Sequence, residues 1–345
     1  MALKDIIGQE KALNILKGCI NKERIPHAIF FAGDEGIGKK LAAINFAKAL
    51  NCTGTSAETD IFAFAGENET AEQDPVFKDA CDKCSSCIKI DKGNHPDVFT
   101  IEPEGDGGQI KVSAIRQLEE AMSYKPFEGE WKIAIIDNTD RMNTSASNAF
   151  LKTLEEPSPK SVLILISSRP DTMLATIRSR CQRVNFSPLP IDTMTGLLQE
   201  KYAEFDHEQA SLLSTLSGGR LGYALNENLI AQRDWSFDIF NQMLGNPEDK
   251  VWEDRHAMEE WFEWGQLHLR DIAIFKATGR EDLIINKDRM DEIKNISKDS
   301  TLKDILKLSR EFYTIKERLH FNLNKQLTFN YTSLLLKEML GKKDH

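Results

Sequence analysis

The run Gly33-Asp34-Glu35-Gly36-Ile37-Gly38-Lys39-Lys40 has the residue types and spacing to hold a phosphate. In glycine loops of this form the backbone N–H groups cradle phosphate oxygens and the lysine reaches the β/γ oxygens. A terminal Ser or Thr hydroxyl then binds Mg²⁺. Position 40 carries a lysine instead, and an ammonium donates hydrogen bonds but ligates no metal. Gly33, Gly36, Gly38 and Lys39 therefore point to a phosphate site. Lys40 implies that Mg²⁺ is not held there in the usual way and that nucleotide is poorly cleaved.

Three further groups could do chemistry. The apolar run Ile133-Ala134-Ile135-Ile136 ends in Asp137, a carboxylate placed to help hold a metal beside phosphate. The next residue is Asn138, where a glutamate would polarise the attacking water, and an amide accepts no proton. A strand followed by an Asx turn is the blander reading. Cys81-x-x-Cys84-x-x-Cys87 has the spacing that turns thiolates onto one metal, with Cys52 upstream as the fourth ligand and His95 as its competitor. Four cysteines would close the shell around a structural Zn²⁺; reduced, unliganded thiols are the alternative, and Cys19 reads as a core residue. Finally, Ile177-Arg178-Ser179-Arg180-Cys181 offers either an arginine finger acting across a subunit interface or a solvated arginine pair. Composition does not choose between them.

The elements that would position these groups are legible in the hydrophobic pattern. Residues 27–32 read as a strand feeding the glycine loop and 39–50 as the helix after it. Residues 98–102, 132–137 and 162–167 are further strands, with 183–186 an edge strand. Helices are expected over 10–20, 112–122 and 144–156, the last stopped by Pro157 and Pro159. Alternation of this kind predicts a parallel sheet with crossover helices. The polar stretch 52–94 reads as an insertion carrying the cysteines. Pro188 and Pro190 punctuate the chain, after which helices dominate, interrupted by Gly218-Gly219.

At 345 residues the length suggests about two or three domains. Hydrophobic content of 41% and charged content of 28% are ordinary for a globular chain with a proper core. A formal charge of -10 argues against a chain that alone wraps DNA by neutralising phosphates. The absence of long apolar runs and of a signal-like start predicts a cytoplasmic protein without membrane contact. Six cysteines in such a compartment favour metal binding or buried thiols over disulfides.

Taken in order, several strings resemble the delta-prime subunits of the bacterial DNA polymerase III clamp loader. They are Asp5-Ile6-Ile7-Gly8-Gln9-Glu10, His27-Ala28 followed by Phe30-Phe31-Ala32-Gly33, and the cysteine insertion with His95-Pro96-Asp97. Leu151-Lys152-Thr153-Leu154-Glu155-Glu156-Pro157 and Ser179-Arg180-Cys181 complete the set. The match is dense over residues 1–190 and diffuse beyond. The resemblance implies an α/β P-loop AAA+ module with a parallel sheet over 1–187, including a zinc module at about 52–94. A small helical lid over 188–243 and an all-α collar for oligomerisation over 244–345 would follow. It also places Ser168 near a sensor position and Arg220 near the lid sensor.

The departures at Lys40 and Asn138, with Arg180 kept, are those of a stator-like subunit that lends an arginine to a neighbour. The resemblance implies a hetero-oligomer with the motor (gamma/tau) and delta subunits, which loads the sliding clamp onto primed DNA during replication. Polymerase activity of the holoenzyme would lie with other subunits. Lys39 leaves ATP or ADP binding open. Two other classes are weighed: an active P-loop ATPase (a motor subunit or helicase loader), and a zinc-dependent DNA-binding adaptor, which the acidic charge disfavours.

Overall fold

The computed structural model describes residues 1–54, 79–103, 108–202, 205–226, 228–245, 252–319 and 323–341. Most of the expected polar insertion, residues 55–78, lies outside these, as does the segment around Pro247.

The chain forms two compact units. The first comprises Met1–Met194 together with Gly218–Leu225, and the second Thr195–Ser217 with Asn226–His345. In chain order the first unit carries α1 (Glu10–Asn21), β1 (Ala28–Ala32), α2 (Lys39–Asn51), α3 (Ser85–Asp91) and β2 (Val98–Ile101). It continues with α4 (Val112–Ser123), β3 (Lys132–Ile136), α5 (Thr144–Glu155), β4 (Ser161–Ser167), α6 (Ala175–Arg178) and β5 (Gln182–Asn185). The five strands make one sheet in the order β2-β3-β4-β1-β5, with every pairing parallel. Among the described residues β5 pairs only with β1, and it is the edge strand its short, polar sequence suggested.

Why these runs become buried parallel strands is visible in the side-chain alternation. Ile29, Phe31, Ile133, Ile135, Val162, Ile164 and Ile166 fall on one face with α1 and α2. Ala28, Phe30, Ala134, Ile136, Leu163 and Leu165 fall on the other with α4 and α5. Both faces are covered, so the strands read as continuous apolar runs rather than alternating ones. Each fully buried aliphatic side chain stabilises the sheet by about 1.5–3 kcal/mol. All seven residues of β4 are buried, which makes it the spine of the layer.

Further helices follow: α7 (Ile191–Lys201), α8 (His207–Leu216), α9 (Leu221–Asn226) and α10 (Leu229–Leu244). They continue with α11 (Arg255–Thr278), α12 (Met290–Asp299), α13 (Leu302–Arg318) and α14 (Lys325–Leu340). Among its described residues, the regular elements of the second unit are all helices. Its core is aromatic, with Trp252, Trp261, Phe262, Phe312 and Phe329 in contact at centroid distances of 5.1–5.7 Å. α13 and α14 are separate helices, the first ending at Arg318 and the second starting at Lys325. No described helix is long and apolar enough to cross a membrane.

Gly218-Gly219 does end a helical group. Gly219 has φ +77°, and a Cβ there would lie 2.0 Å from the Leu189 carbonyl oxygen, so only glycine fits. This close approach anchors residues 218–225 to the α/β unit. The sequence pattern held no sign of that, because the contact joins positions 30 residues apart.

Candidate functional site

The glycine loop leaves the C-terminal end of β1, and its glycines give way to α2 at Lys39. Asp137 follows β3, and Ser167-Ser168 end β4. Because β3, β4 and β1 are neighbours, all three reach the same edge of the sheet, where ligands of open α/β folds bind. Lys39 is nearly buried and turns onto its own loop. Its Nζ donates to the Gly33 carbonyl at 2.6 Å and to the Asp34 carbonyl. Burial pushes its pKa down, against the opposing pull of Asp137 and of acidic neighbours on the loop. Burial likewise raises the Asp137 carboxyl, while the Asn138 N–H (2.9 Å) and nearby Lys40 pull it back. Asn138 itself takes a left-handed φ of +50°, which asparagine tolerates better than most residues.

Lys40 is half-exposed and ion-pairs with Glu102, just past β2. A second cation thus stands on the Asp137 side of the loop, tied to a carboxylate. Gln9 spans the loop and the end of β5, donating to the Ile37 carbonyl (3.4 Å) and the Ser187 carbonyl (2.7 Å). The buried Ser167 hydroxyl donates to Asp140 at 2.6 Å, whereas Ser168 is half-buried beside it. The Gly222 N–H donates to the Gly36 carbonyl at 2.7 Å, and a Cβ on Gly36 would strike Tyr223. Arg220 lies with its guanidinium 4.2 Å from the Tyr223 ring centroid. Gly33, Gly36, Gly38, Lys39, Lys40, Asp137, Ser168 and Arg220 are thus all placed on or around this loop. Glu102, Ser167 and Asp140 were missed. Acidic residues after β2 and β3 are the signal that could have found two of them.

The cysteine cluster lies beyond the other end of α2. Cys52 follows that helix directly, and Cys84 caps α3 by accepting the Cys87 N–H at 3.4 Å. The sulfurs of Cys52, Cys81, Cys84 and Cys87 all lie within 4.8 Å of one another, and none of the four is in a disulfide. Tetrahedral zinc thiolates at about 2.3 Å would put sulfurs about 3.8 Å apart; Cys52 and Cys84 are at 4.0 Å. Backbone N–H groups of Cys81 and Cys84 point at the sulfurs of Cys52 (3.4 Å) and Cys81 (3.3 Å). Burial tends to raise the Cys84 thiol, yet donors from Cys87 and Thr53 bring it down to about 5. Burial and the neighbouring thiols push Cys87 up. One ready thiolate beside three further sulfurs fits a thiophilic divalent metal.

His95 faces elsewhere. Its Nδ1 meets the Asp97 N–H at 3.1 Å and its Nε2 meets Ser86 Oγ at 3.1 Å and Glu128 at 3.5 Å. Its partner Asp97 is fully buried and accepts the N–H groups of Phe127, Glu128 and Gly129 at 2.7–2.8 Å. Those donors hold its carboxyl below the usual range despite burial, and fix the turn that leads into β3.

Arg180 belongs to the opposite edge. It precedes β5, which runs parallel to β1, while the glycine loop follows β1. A four-residue strand at about 3.3 Å per residue sets these two levels upward of ~13 Å apart. The guanidinium is 38% exposed and pairs with Glu155 at 2.8 Å. Arg178 pairs with Asp171 at 3.2 Å, and Cys181 is inert, its thiol pushed up to about 12 by burial. The same edge carries Tyr124 and Phe127, exposed at 63% and 85%, on the turn before β3. The structure therefore gathers the loop residues at one end of the strands, the cysteines beyond α2, and Arg180 at the strand ends opposite the loop.

Comparison with known proteins places the chain in a family. Residues 8–190 match the family described as DNA polymerase III, delta subunit. The chain is 28% identical over 343 residues to DNA polymerase III subunit delta' of Bacillus subtilis, covering 96% of each. It is 32% identical to the tau subunit of the same organism, over 57% of this chain and 31% of that longer protein. Among solved structures, a gamma subunit-related protein from Thermotoga maritima is 17% identical, covers 95% of this chain and 99% of its own, and superposes with a TM-score of 0.44. By its matched residues and its full-length relative, the chain belongs to the clamp-loader family of DNA polymerase III, with the delta-prime subunits.

Proposed function

We propose that this chain is a stator-like clamp-loader subunit that does not hydrolyse nucleotide on its own and lends Arg180 to the ATPase site of a neighbouring subunit. The observation that carries this reading is the opposite placement of its own loop and its own arginine. An arginine at the opposite strand ends is far from Lys39, which favours, over a role at its own loop, one on a phosphate held by another subunit. There it would stabilise charge developing on the transferred phosphoryl group, a role worth on the order of 10³–10⁵ in rate.

Assembly partners would be the motor (gamma/tau) and delta subunits, and the complex would open the sliding clamp and place it on primed DNA. Leu327, Tyr331 and Leu334 support assembly through the C-terminal helices, since they form an exposed apolar stripe at helical spacing on α14. We read the chain as three functional parts, 1–187, 188–243 and 244–345, with the third forming the collar. Zn²⁺ on Cys52, Cys81, Cys84 and Cys87 would fold the insertion without a chemical task. At the loop, Lys40 would stand in for part of a missing cation, with Ser168 and Arg220 as sensor residues if ATP or ADP binds.

The test is the DNA-dependent ATPase of the loader reconstituted with its own motor and delta subunits. Arg180→Ala should abolish most turnover while the complex still assembles on gel filtration. Normal turnover in an intact complex removes the finger, and ATP hydrolysis by the purified chain that is lost in Lys39→Ala establishes an active ATPase instead.

A further inference from the structure

We propose that Glu155 is a parking carboxylate for Arg180, holding the guanidinium on its own subunit until a neighbour's phosphate displaces it. The proposal rests on the finger reading above and adds the residue that controls the finger's availability.

The geometry is specific. Arg180 Nη2 meets Glu155 Oε1 at 2.8 Å, and Nη1 donates to the Thr176 carbonyl at 3.0 Å. Thr176 lies four residues back, so the side chain folds along the end of α6 instead of extending from it. Glu155 is the last residue of α5, which packs on α6. A guanidinium recognises phosphate bidentately through a pair of its N–H groups in a fixed plane. Here both terminal nitrogens are already engaged within the chain. The end of the fork that would clasp a phosphoryl oxygen is therefore occupied, and both contacts must open before the arginine can act in trans.

The latch is also weak enough to open. The two side chains are 38% and 53% exposed, so water and salt screen their attraction. A polyphosphate carries more charge than one carboxylate and offers two oxygens to the fork, so it outcompetes Glu155 once it is within reach. A buried pair would not release this way, because an uncompensated charge would be left in a low dielectric. Glu155 is thus a positioning residue: it prevents the finger from wandering in the free subunit and yields it on assembly.

The experiment compares Glu155→Gln, Arg180→Ala and the double variant in the reconstituted loader, with nucleotide varied. Glu155→Gln keeps shape and removes the charge. It should raise kcat by about two- to five-fold, the range an exposed pair spans, with KM for ATP unchanged, because the finger acts on the transition state. Glu155→Ala should behave alike, Glu155→Asp should restore slower turnover, and Glu155→Gln should add nothing on the Arg180→Ala background. An Arg180→Ala loader as active as wild type removes the finger itself. A crippled Arg180→Ala loader with Glu155→Gln unchanged or slower leaves the finger standing and overturns the parking role. A rise that persists in the double variant overturns it as well.

Discussion

Lys39 and Arg180 are two cations of one α/β unit whose surroundings are opposite. Lys39 is buried, and its ammonium is satisfied by carbonyls of its own loop. Arg180 stands at the other edge of the sheet, half in solvent, on a screened ion pair. A buried cation with close partners is committed to one arrangement, whereas an exposed one exchanges partners at little cost. The loop side is built to hold still and the arginine corner to let go. Loss of hydrolytic groups at Lys40 and Asn138 is consistent with that division, since only the corner would need to act.

The largest expected effect is at the cysteine cluster, at the end of α2 away from the loop. The cysteine cluster adjoins the end of α2, the helix that begins at Lys39, and Ala2 packs with Cys52, Ala80 and Cys87. Metal binding in small zinc domains is worth on the order of 10 kcal/mol. Purified chain should contain one zinc, and chelation should lower the melting temperature. Hydrogen exchange should quicken over residues 1–6, 47–54 and 79–95 and stay unchanged over 175–185. Protection lost equally at both places would show that the two sides are one cooperative structure.

Next is the comparison itself. In the reconstituted loader, the stator reading expects Arg180→Ala to cost on the order of 10³–10⁵ in DNA-dependent ATPase, and Lys39→Ala to change it by less than about two-fold. Equal losses in the two variants would mean that this loop is catalytic.

Much of the loop and of the cysteine cluster could be read from sequence because their parts are local. A strand, a glycine turn and a helix are contiguous in the chain, and Cys81, Cys84 and Cys87 are spaced by one turn. Cys52 could be picked as their partner only as one of two candidates, since proximity across the insertion is decided by where α2 ends. The corner was recognisable as a string, but its geometry was not. Glu155 and Arg180 belong to two separate strings, and their pairing arises from how α5 packs on α6. That Arg180 and Lys39 face opposite edges follows from the parallel pairing of β5 with β1. Single residues disclose no such pairing. Asp97 is a similar case: it stood in the sequence as the exit of the cysteine module, and its three backbone donors lie 30 residues on.

Asp97 sets the third test. Its carboxyl is held low by those donors, so its folded pKa lies below the unfolded value of about 3.9. Its contribution is therefore present above that unfolded value and is lost as pH falls through the folded pKa. Asp97→Asn removes charge-assisted bonds at a buried site and should cost about 2 kcal/mol in urea unfolding at pH 7. The penalty should shrink as pH falls below the unfolded value and through the folded one. A penalty that does not depend on pH would assign the effect to packing.

The smallest effect concerns Lys40, and it bears on whether the loop side is as closed as its hydrogen bonds suggest. The Lys40–Glu102 pair is exposed on both sides, so its loss should change stability by less than about 1 kcal/mol. Its influence on ligand chemistry should be more visible than its influence on folding. With Lys40 in place, a cation already stands beside Asp137, and any nucleotide bound at Lys39 should bind as well in EDTA as in Mg²⁺. Lys40→Thr supplies the missing hydroxyl and frees Asp137 of a neighbouring positive charge, so binding measured by calorimetry should become dependent on Mg²⁺. If the wild-type chain already requires Mg²⁺, Lys40 does not replace the ion. If neither form binds nucleotide, Lys39 is committed to the Gly33 and Asp34 carbonyls, and the contrast with Arg180 is complete.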